Sequence, residues 1–167
     1  MARNTSYHRS EGTDGGLSLM KSIISPYGIR FQEDGKMGVF PAIDAHIRGK
    51  QTSETLYGVF LIDSGATVSV LPASDAEMLG IQLTKGAKTI IRGLGATDFF
   101  GYRHMITCML GVYTISLPVV FIDHPATLRI LGREGLFDKF LILFDEKKRR
   151  TIFLSPNQRK HIDGLVQ

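Results

Sequence analysis

The sequence predicts a mostly β domain, built as a closed or partly open barrel with one or two short helices. Seven or more short apolar segments show strand patterning, and glycine, proline and polar turn residues separate them. Two short segments, residues 73–79 and 134–139, have helical composition instead. The length of 167 residues fits a single domain with one hydrophobic core.

Composition narrows the class of protein. Apolar residues make up 43% of the chain and charged residues 22%, which is typical of a folded globular protein and excludes a mainly disordered one. No apolar run is long enough to span a bilayer, and residues 1–16 are polar, so we expect no membrane partner and no secretory export. The single cysteine, Cys108, cannot form an internal disulfide, which favours a cytoplasmic location.

Charge and metal-binding patterns are weak. The net charge of +4 is too small an excess to indicate a nucleic-acid partner. The basic residues 147–150, Lys-Lys-Arg-Arg, are interpreted as a solvated turn, with a contact for an acidic partner as the alternative. His46, His104 and His124 lack the spacing of a metal site, and no CxxC or HExxH motif occurs, so we expect no metal.

The first half of the chain is interpreted as an arm followed by strands and a helix. Residues 1–22 are polar and are interpreted as a flexible arm, residues 23–158 as the domain, and residues 159–167 as a C-terminal tail. Apolar residues alternate from Met37 to Ile47, as in a half-buried strand. Further strands are predicted at residues 56–62 and 68–71, before a helix at 73–79 that Pro72 opens and Gly80 ends.

The second half of the chain is interpreted as a series of β-hairpins. Strands near residues 89–92 and 102–110 flank Gly93, Gly95 and Gly101, which predicts a long hairpin with a glycine-bearing tip. A strand over 113–122 contains Pro118, which favours an edge strand or a bulge. Residues 128–132 form another apolar segment, and residues 140–144 and 151–154 flank a charged turn as a closing hairpin.

Asp63 is the sharpest feature, because an apolar strand ends there in a turn, Phe60-Leu-Ile-Asp-Ser-Gly-Ala66. A lone Asp-Ser-Gly is a common turn. Here both flanks are apolar, so the carboxylate lies at the edge of a hydrophobic interior, where it needs partners or a shifted pKa.

With its context, this motif resembles the retropepsin-like aspartic proteases, the single-domain relatives of pepsin and of the retroviral proteases. Three blocks match in order within residues 40–154. They are the catalytic loop Leu61-Ile-Asp-Ser-Gly-Ala66, the glycine-rich segment Ile90-Ile-Arg-Gly-Leu-Gly-Ala96, which looks like the flap, and Ile130-Leu-Gly-Arg133, which is similar to the segment that packs beneath the loop. By itself, the glycine-rich segment would favour a simple hairpin turn.

The resemblance implies an aspartic endopeptidase that needs no metal or organic cofactor. It assigns catalysis to Asp63, Ser64 and Gly65, substrate binding to Ala66, Thr67, Arg92, Gly93, Leu94 and Gly95, and structural support to Gly132 and Arg133. Ser64 is expected to hydrogen-bond to the same loop of a second copy and so to brace the two loops. Thr67 departs from the retroviral pattern, which has an Asp there that pairs with the arginine matched by Arg133. Arg133 is therefore expected to pair with Asp123, Glu134 or another acid, or to be solvated.

The reaction demands two carboxylates, one ionised to take a proton from water and one protonated to polarise the peptide carbonyl. The chain holds one such triplet, since Asp14-Gly15 and Asp163-Gly164 lack both the motif and the apolar strand. The second carboxylate is therefore expected from Asp63 of another copy, in a homodimer that cleaves a polypeptide substrate. The alternative is a dimeric module on the same fold that binds peptides or assembles a complex without catalysis.

Overall fold

The structure is a computed structural model that describes residues 22–31, 34–93 and 97–163. The predicted arm, apart from residue 22, lies outside the described residues. Within them, the strands are β1 Ile23–Pro26, β2 Gly28–Phe31, β3 Met37–Phe40, β4 Ala42–Gly49, β5 Thr55–Ile62, β6 Ser69–Pro72, β7 Ala87–Arg92, β8 Asp98–Leu110, β9 Tyr113–Ile122, β10 Ile130–Leu131, β11 Leu141–Asp145 and β12 Arg150–Leu154. The helices are α1 Ala73–Met78 and α2 Pro156–Asp163, and a 3₁₀ turn spans Leu83–Lys85.

The largest sheet closes into a barrel. Its strand order is β4-β5-β10-β6-β9-β8-β7, and β4 also pairs with β8, with Ile47 opposite Cys108. This additional pairing joins the two sides of the sheet, so six strands form a ring and β7 extends from it as half of a hairpin. The predicted mostly β barrel with short helices is confirmed.

Alternation along β4 and β5 fills the barrel. Ile43, Ala45 and Ile47 of β4 are buried, as the sequence pattern predicts. On β5, Phe60 and Ile62 are buried, whereas Tyr57 and Val59 on the other face are exposed. The continuous apolar run of β5 therefore buries only every second residue, and the apolar side chains of its second face are left at the surface.

Two smaller units complete the architecture. Strands β1, β12 and β11 form an antiparallel sheet, whose β11–β12 part is the predicted closing hairpin. Strands β2 and β3 form a separate hairpin with Gly28 opposite Phe40 and Arg30 opposite Gly38. Pro41 separates β3 from β4, so the single strand expected between Met37 and Ile47 is divided in two.

The helix predicted over residues 134–139 is wrong. The N–H groups of Leu136 and Phe137 donate to the carbonyl of Arg133, and those of Lys139 and Phe140 donate to that of Leu136. These bonds make two successive turns instead of a continuous helix. Gly135 has φ of 80°, a left-handed conformation that interrupts a helix at its start.

The expectation for the strand that contains Pro118 is revised. β9 is an interior strand between β6 and β8, not an edge strand, and its register with β8 runs without a bulge. Pro118 is accommodated because β6 pairs with β9 only from Val119 onward. At the other end of the chain, α2 runs across the boundary expected between the domain and the tail at residues 158 and 159.

Cys108 confirms its prediction as a core residue. It lies inside the barrel on β8, packed in the main hydrophobic cluster. Burial raises the pKa of its thiol to about 12, so the thiol stays protonated and is a poor nucleophile near neutral pH.

Candidate active site

Asp63 lies in the first position after β5, at the mouth of a tight loop. Its N–H donates to the carbonyl of Leu131 at 3.1 Å, and its own carbonyl accepts the N–H of Ala66 at 3.3 Å. Asp63 is half-buried, while Ser64 and Gly65 are exposed. The loop thus presents its motif to the surface while its backbone is tied to the sheet.

The carboxylate of Asp63 is positioned by its own loop. Its Oδ1 accepts the N–H of Gly65 at 2.8 Å. In the part of the chain that the structure describes, no second carboxyl group hydrogen-bonds to Asp63. The described part of one chain therefore presents a single carboxylate at this position.

The segment from Ile130 to Glu134 holds the loop from beneath. β10 pairs in parallel with the end of β5, and Ile130 also pairs with Val70 of β6. Beyond β10, the N–H of Arg133 donates to the carbonyl of Ala66, and that of Glu134 to the carbonyl of Thr67, both at 2.9 Å. The two sequence blocks, about seventy residues apart, are thus joined by backbone hydrogen bonds.

Gly132 is the closest contact between the two blocks. A Cβ atom at this position would lie 2.5 Å from the carbonyl oxygen of Val68 and 2.9 Å from that of Ala66. Its N–H donates to the hydroxyl of Ser69 at 3.1 Å, and Ser69 is fully buried. Only glycine fits here without displacing backbone.

The side chain of Arg133 does not pair with the carboxylates expected for it. Arg133 is exposed, and among the described residues it forms no ion pair. Glu134, one of its expected partners, is instead bonded to Arg103. Of the expectations for this residue, solvation fits the structure.

A buried ion pair that sequence reasoning missed stands close by. Asp75 of α1 is 1% exposed and accepts two hydrogen bonds of 2.7 Å from Nε and Nη2 of Arg129. The bond to Asp75 raises the pKa of Arg129. Because Arg129 directly precedes β10, this pair fixes α1 against the segment that supports the Asp63 loop. The available signal was an arginine inside an otherwise apolar segment, Leu128-Arg-Ile-Leu131, which requires a partner when it folds inward.

The base of the predicted flap is a regular hairpin. Arg92 Nε lies 3.0 Å from Asp98 Oδ1, and the N–H of Gly93 donates to the carbonyl of Thr97 at 2.8 Å. These contacts close β7 and β8 around the tip. Leu94 and Gly95, the other predicted flap residues, lie outside the described residues.

A cavity of about 280 Å³ opens beside β5. The β2–β3 hairpin forms one wall, and the exposed face of β5 forms the other. The lining residues are Arg30, Gly38, Val39, Phe40, Val59, Leu61, Leu128 and Arg129.

Other sequence candidates are accounted for by structural contacts. In the turn at residues 147–150, Arg149 pairs with Glu146 and Arg150 with Asp145, which offsets part of the positive charge of the turn.

Of the described residues, no cluster of three or more His, Cys, Asp or Glu side chains could hold a metal ion. In the same part of the chain, no helix combines the length and apolar character that a bilayer crossing requires.

Comparison with known proteins agrees with this geometry. A family model described as aspartyl protease matches residues 44–134, which include the Asp63 loop, the β7–β8 hairpin and the Gly132 segment. The chain belongs to the aspartyl protease family. No curated protein matches the sequence significantly.

A solved structure from another organism shares the fold of this family member. A retropepsin-like aspartic protease from Rickettsia conorii is 19% identical, with a TM-score of 0.55 over 80% of this chain and 89% of that one. An EIAV protease solved with a bound inhibitor is 23% identical, with a TM-score of 0.44 over 74% of this chain and 93% of that one. The expected retropepsin-like resemblance is confirmed at the level of fold.

Proposed function

We propose that this chain is an aspartic endopeptidase, in which two Asp63 carboxylates from the subunits of a homodimer activate water for peptide-bond hydrolysis. The observation that carries the proposal is the exposed Asp63-Ser-Gly loop at the end of a barrel strand, in a chain of the aspartyl protease family. The loop offers a single carboxylate, so a complete site requires a second copy.

In this mechanism, the paired Asp63 side chains share one proton. The ionised carboxylate takes a proton from water as the water attacks the carbonyl carbon, and the protonated one donates a hydrogen bond to the carbonyl oxygen. The hydrogen bond from the Gly65 N–H to Oδ1 fixes the orientation of the Asp63 carboxylate. We assign Ser64 to bracing the two loops across the twofold axis.

Substrate contacts fall to the loop and the hairpin. We assign Ala66 and Thr67, which follow Gly65, to peptide contacts beside Asp63. Their carbonyls already accept the N–H groups of Arg133 and Glu134, which holds this stretch of backbone in place. We assign Arg92, Gly93, Leu94 and Gly95 to a flap that closes over the bound peptide and excludes water. The Arg92–Asp98 pair supports this role because it holds β7 and β8 together at the base of the hairpin.

The test is cleavage of a peptide library by the purified protein across a range of pH, with and without a pepstatin-like inhibitor. We expect inhibitor-sensitive cleavage with a maximum on the acidic side of neutral, because the dyad needs one proton. Asp63→Asn preserves the size of the side chain and should abolish cleavage while leaving folding intact. Asp44→Asn, on an exposed position of β4, is the matched control and should cleave like the wild type.

Two results would contradict the proposal. Cleavage that still rises above about pH 8 would point to another mechanism. Well-folded dimers that bind peptides without cleaving them at any pH would favour the non-catalytic module.

A further inference from the structure

The β2–β3 hairpin turns one defined face toward the barrel. Residues opposite each other in an antiparallel pair share a face, so the pairs Gly28–Phe40 and Arg30–Gly38 place Arg30 and Phe40 on the same side. A Cβ on Gly28 would lie 2.6 Å from Cζ of Phe40, so the absent side chain leaves room for the Phe40 ring. Gly38 likewise leaves space opposite Arg30.

The side of β5 that faces the β2–β3 hairpin is the side on which Asp63 follows the strand. Side chains alternate along a strand, so Val59 and Leu61 share the face on which Asp63 continues. At roughly 3.3 Å per residue, Leu61 lies about 7 Å and Val59 about 13 Å from Asp63 along the strand. Pro41, which directly follows the hairpin, contacts this end of β5, because its carbonyl accepts the N–H of Ile62 at 2.9 Å. The cavity between hairpin and strand is therefore a groove along β5 whose lining reaches Leu61, two residues before Asp63.

Among the described residues, the groove is lined mainly by apolar side chains and by two arginines, one of which has no carboxylate partner. Val59 and Leu128 line it and are 48% and 37% exposed. Of its two arginines, Arg129 is bound to buried Asp75. Arg30 is exposed and has no carboxylate partner among the described residues. A guanidinium in this position can accept a carboxylate in a two-pronged hydrogen bond.

We infer that this groove is a substrate subsite that selects an apolar side chain next to an acidic residue, with Arg30 as the residue that sets the acidic preference. The inference rests on the proposed peptidase function. An extended peptide advances by about 3.3 Å per residue, so the groove receives residues two to four positions from the scissile bond. The occupant is a polypeptide substrate whose charge complements Arg30.

The experiment compares pairs of peptides that differ only by Glu or Gln at two, three or four residues from the cleaved bond. We expect the wild type to prefer the Glu peptide by about three- to tenfold in kcat/KM at one of these positions. Arg30→Gln should reduce this ratio to about one, and Arg30→Glu should favour a Lys peptide instead. Arg48→Gln, an exposed arginine of β4 outside the groove, is the matched control and should keep the wild-type ratio.

Binding separates this inference from the proposed function. The same peptides are titrated into Asp63→Asn protein by fluorescence anisotropy, which needs no cleavage, and the Glu peptide should bind more tightly. Absence of cleavage with this binding preference intact would overturn the peptidase function alone. An equal Glu-to-Gln ratio in the wild type and in Arg30→Gln would overturn the subsite. So would a loss of dimer mass in Arg30→Gln with selectivity unchanged, since a second copy would then occupy the groove.

Discussion

Gly132 shows how a single residue fixes the geometry of the site. Because Gly132 has no side chain, its backbone can approach that of Val68 and Ala66 so closely that a methyl group would not fit between them. The obstacle is main-chain carbonyl, which cannot move aside as a side chain can. The position of the Asp63 loop therefore depends on this glycine.

Gly132→Ala should lower the free energy of unfolding by about 2–3 kcal/mol, because the added methyl group forces the loop and its support apart. Urea denaturation measures this loss. Gly58→Ala is the matched control, since the atoms nearest its Cβ would be side-chain atoms, Nη1 and Cδ of Arg129 at 3.2 and 3.6 Å and Cε2 of Phe60 at 3.6 Å, and not main-chain carbonyls. Equal losses in the two variants would contradict the account.

Sequence reasoning found Asp63 but not Asp75. The first is marked by a local pattern of strand, carboxylate and turn. The second pairs with Arg129 across 54 positions, and only the folding of α1 onto the barrel brings the two together. A contact of this kind depends on the tertiary fold, so no local pattern contains it.

At the scale of elements, β1 and β2 are joined at Tyr27, which ties them to the β11–β12 turn. Its hydroxyl donates to Oε1 of Glu146 at 2.8 Å, and its N–H donates to the carbonyl of Arg149 at 2.8 Å. Burial, and after it the hydrogen bond to Glu146, raise the pKa of Tyr27 to about 12.

This shift predicts a loss of stability in alkali. Above the ordinary pKa of 10.0, the unfolded chain releases the phenol proton while the folded protein keeps it up to about pH 12. The unfolded state then binds fewer protons, so the free energy of unfolding falls as pH rises through this window. Tyr27→Phe should show a shallower fall in urea denaturation at a series of pH values. Identical slopes in both proteins would contradict the assignment.

Elements with a clear period were predicted well, and those governed by backbone conformation were not. Strands β5, β7, β8, β9, β11 and β12 follow from apolar patterns and turn residues. The segment at residues 134–139 has helical composition, but the left-handed conformation of Gly135 breaks it into turns. Pro118 marks the place where β6 pairing stops, which depends on a strand distant in sequence.

For the whole molecule, we propose that the barrel carries half of an active site. Asp63 stands at the end of β5 with Ser64 and Gly65 exposed, and the sequence contains one such triplet. In this proposal two copies share one active site. Adding an inactive subunit lowers the activity of such a dimer, whereas it leaves the activity of a monomeric enzyme unchanged.

Subunit mixing tests this claim most directly. Wild-type protein is mixed with an equal amount of Asp63→Asn protein, and subunit exchange is confirmed with a mass label before peptide cleavage is measured. Random pairing leaves about one quarter of the dimers with two intact carboxylates, so activity per wild-type chain should fall to about half and decline further with excess mutant. Activity per wild-type chain that stays constant at every ratio, with exchange complete, would contradict the shared site.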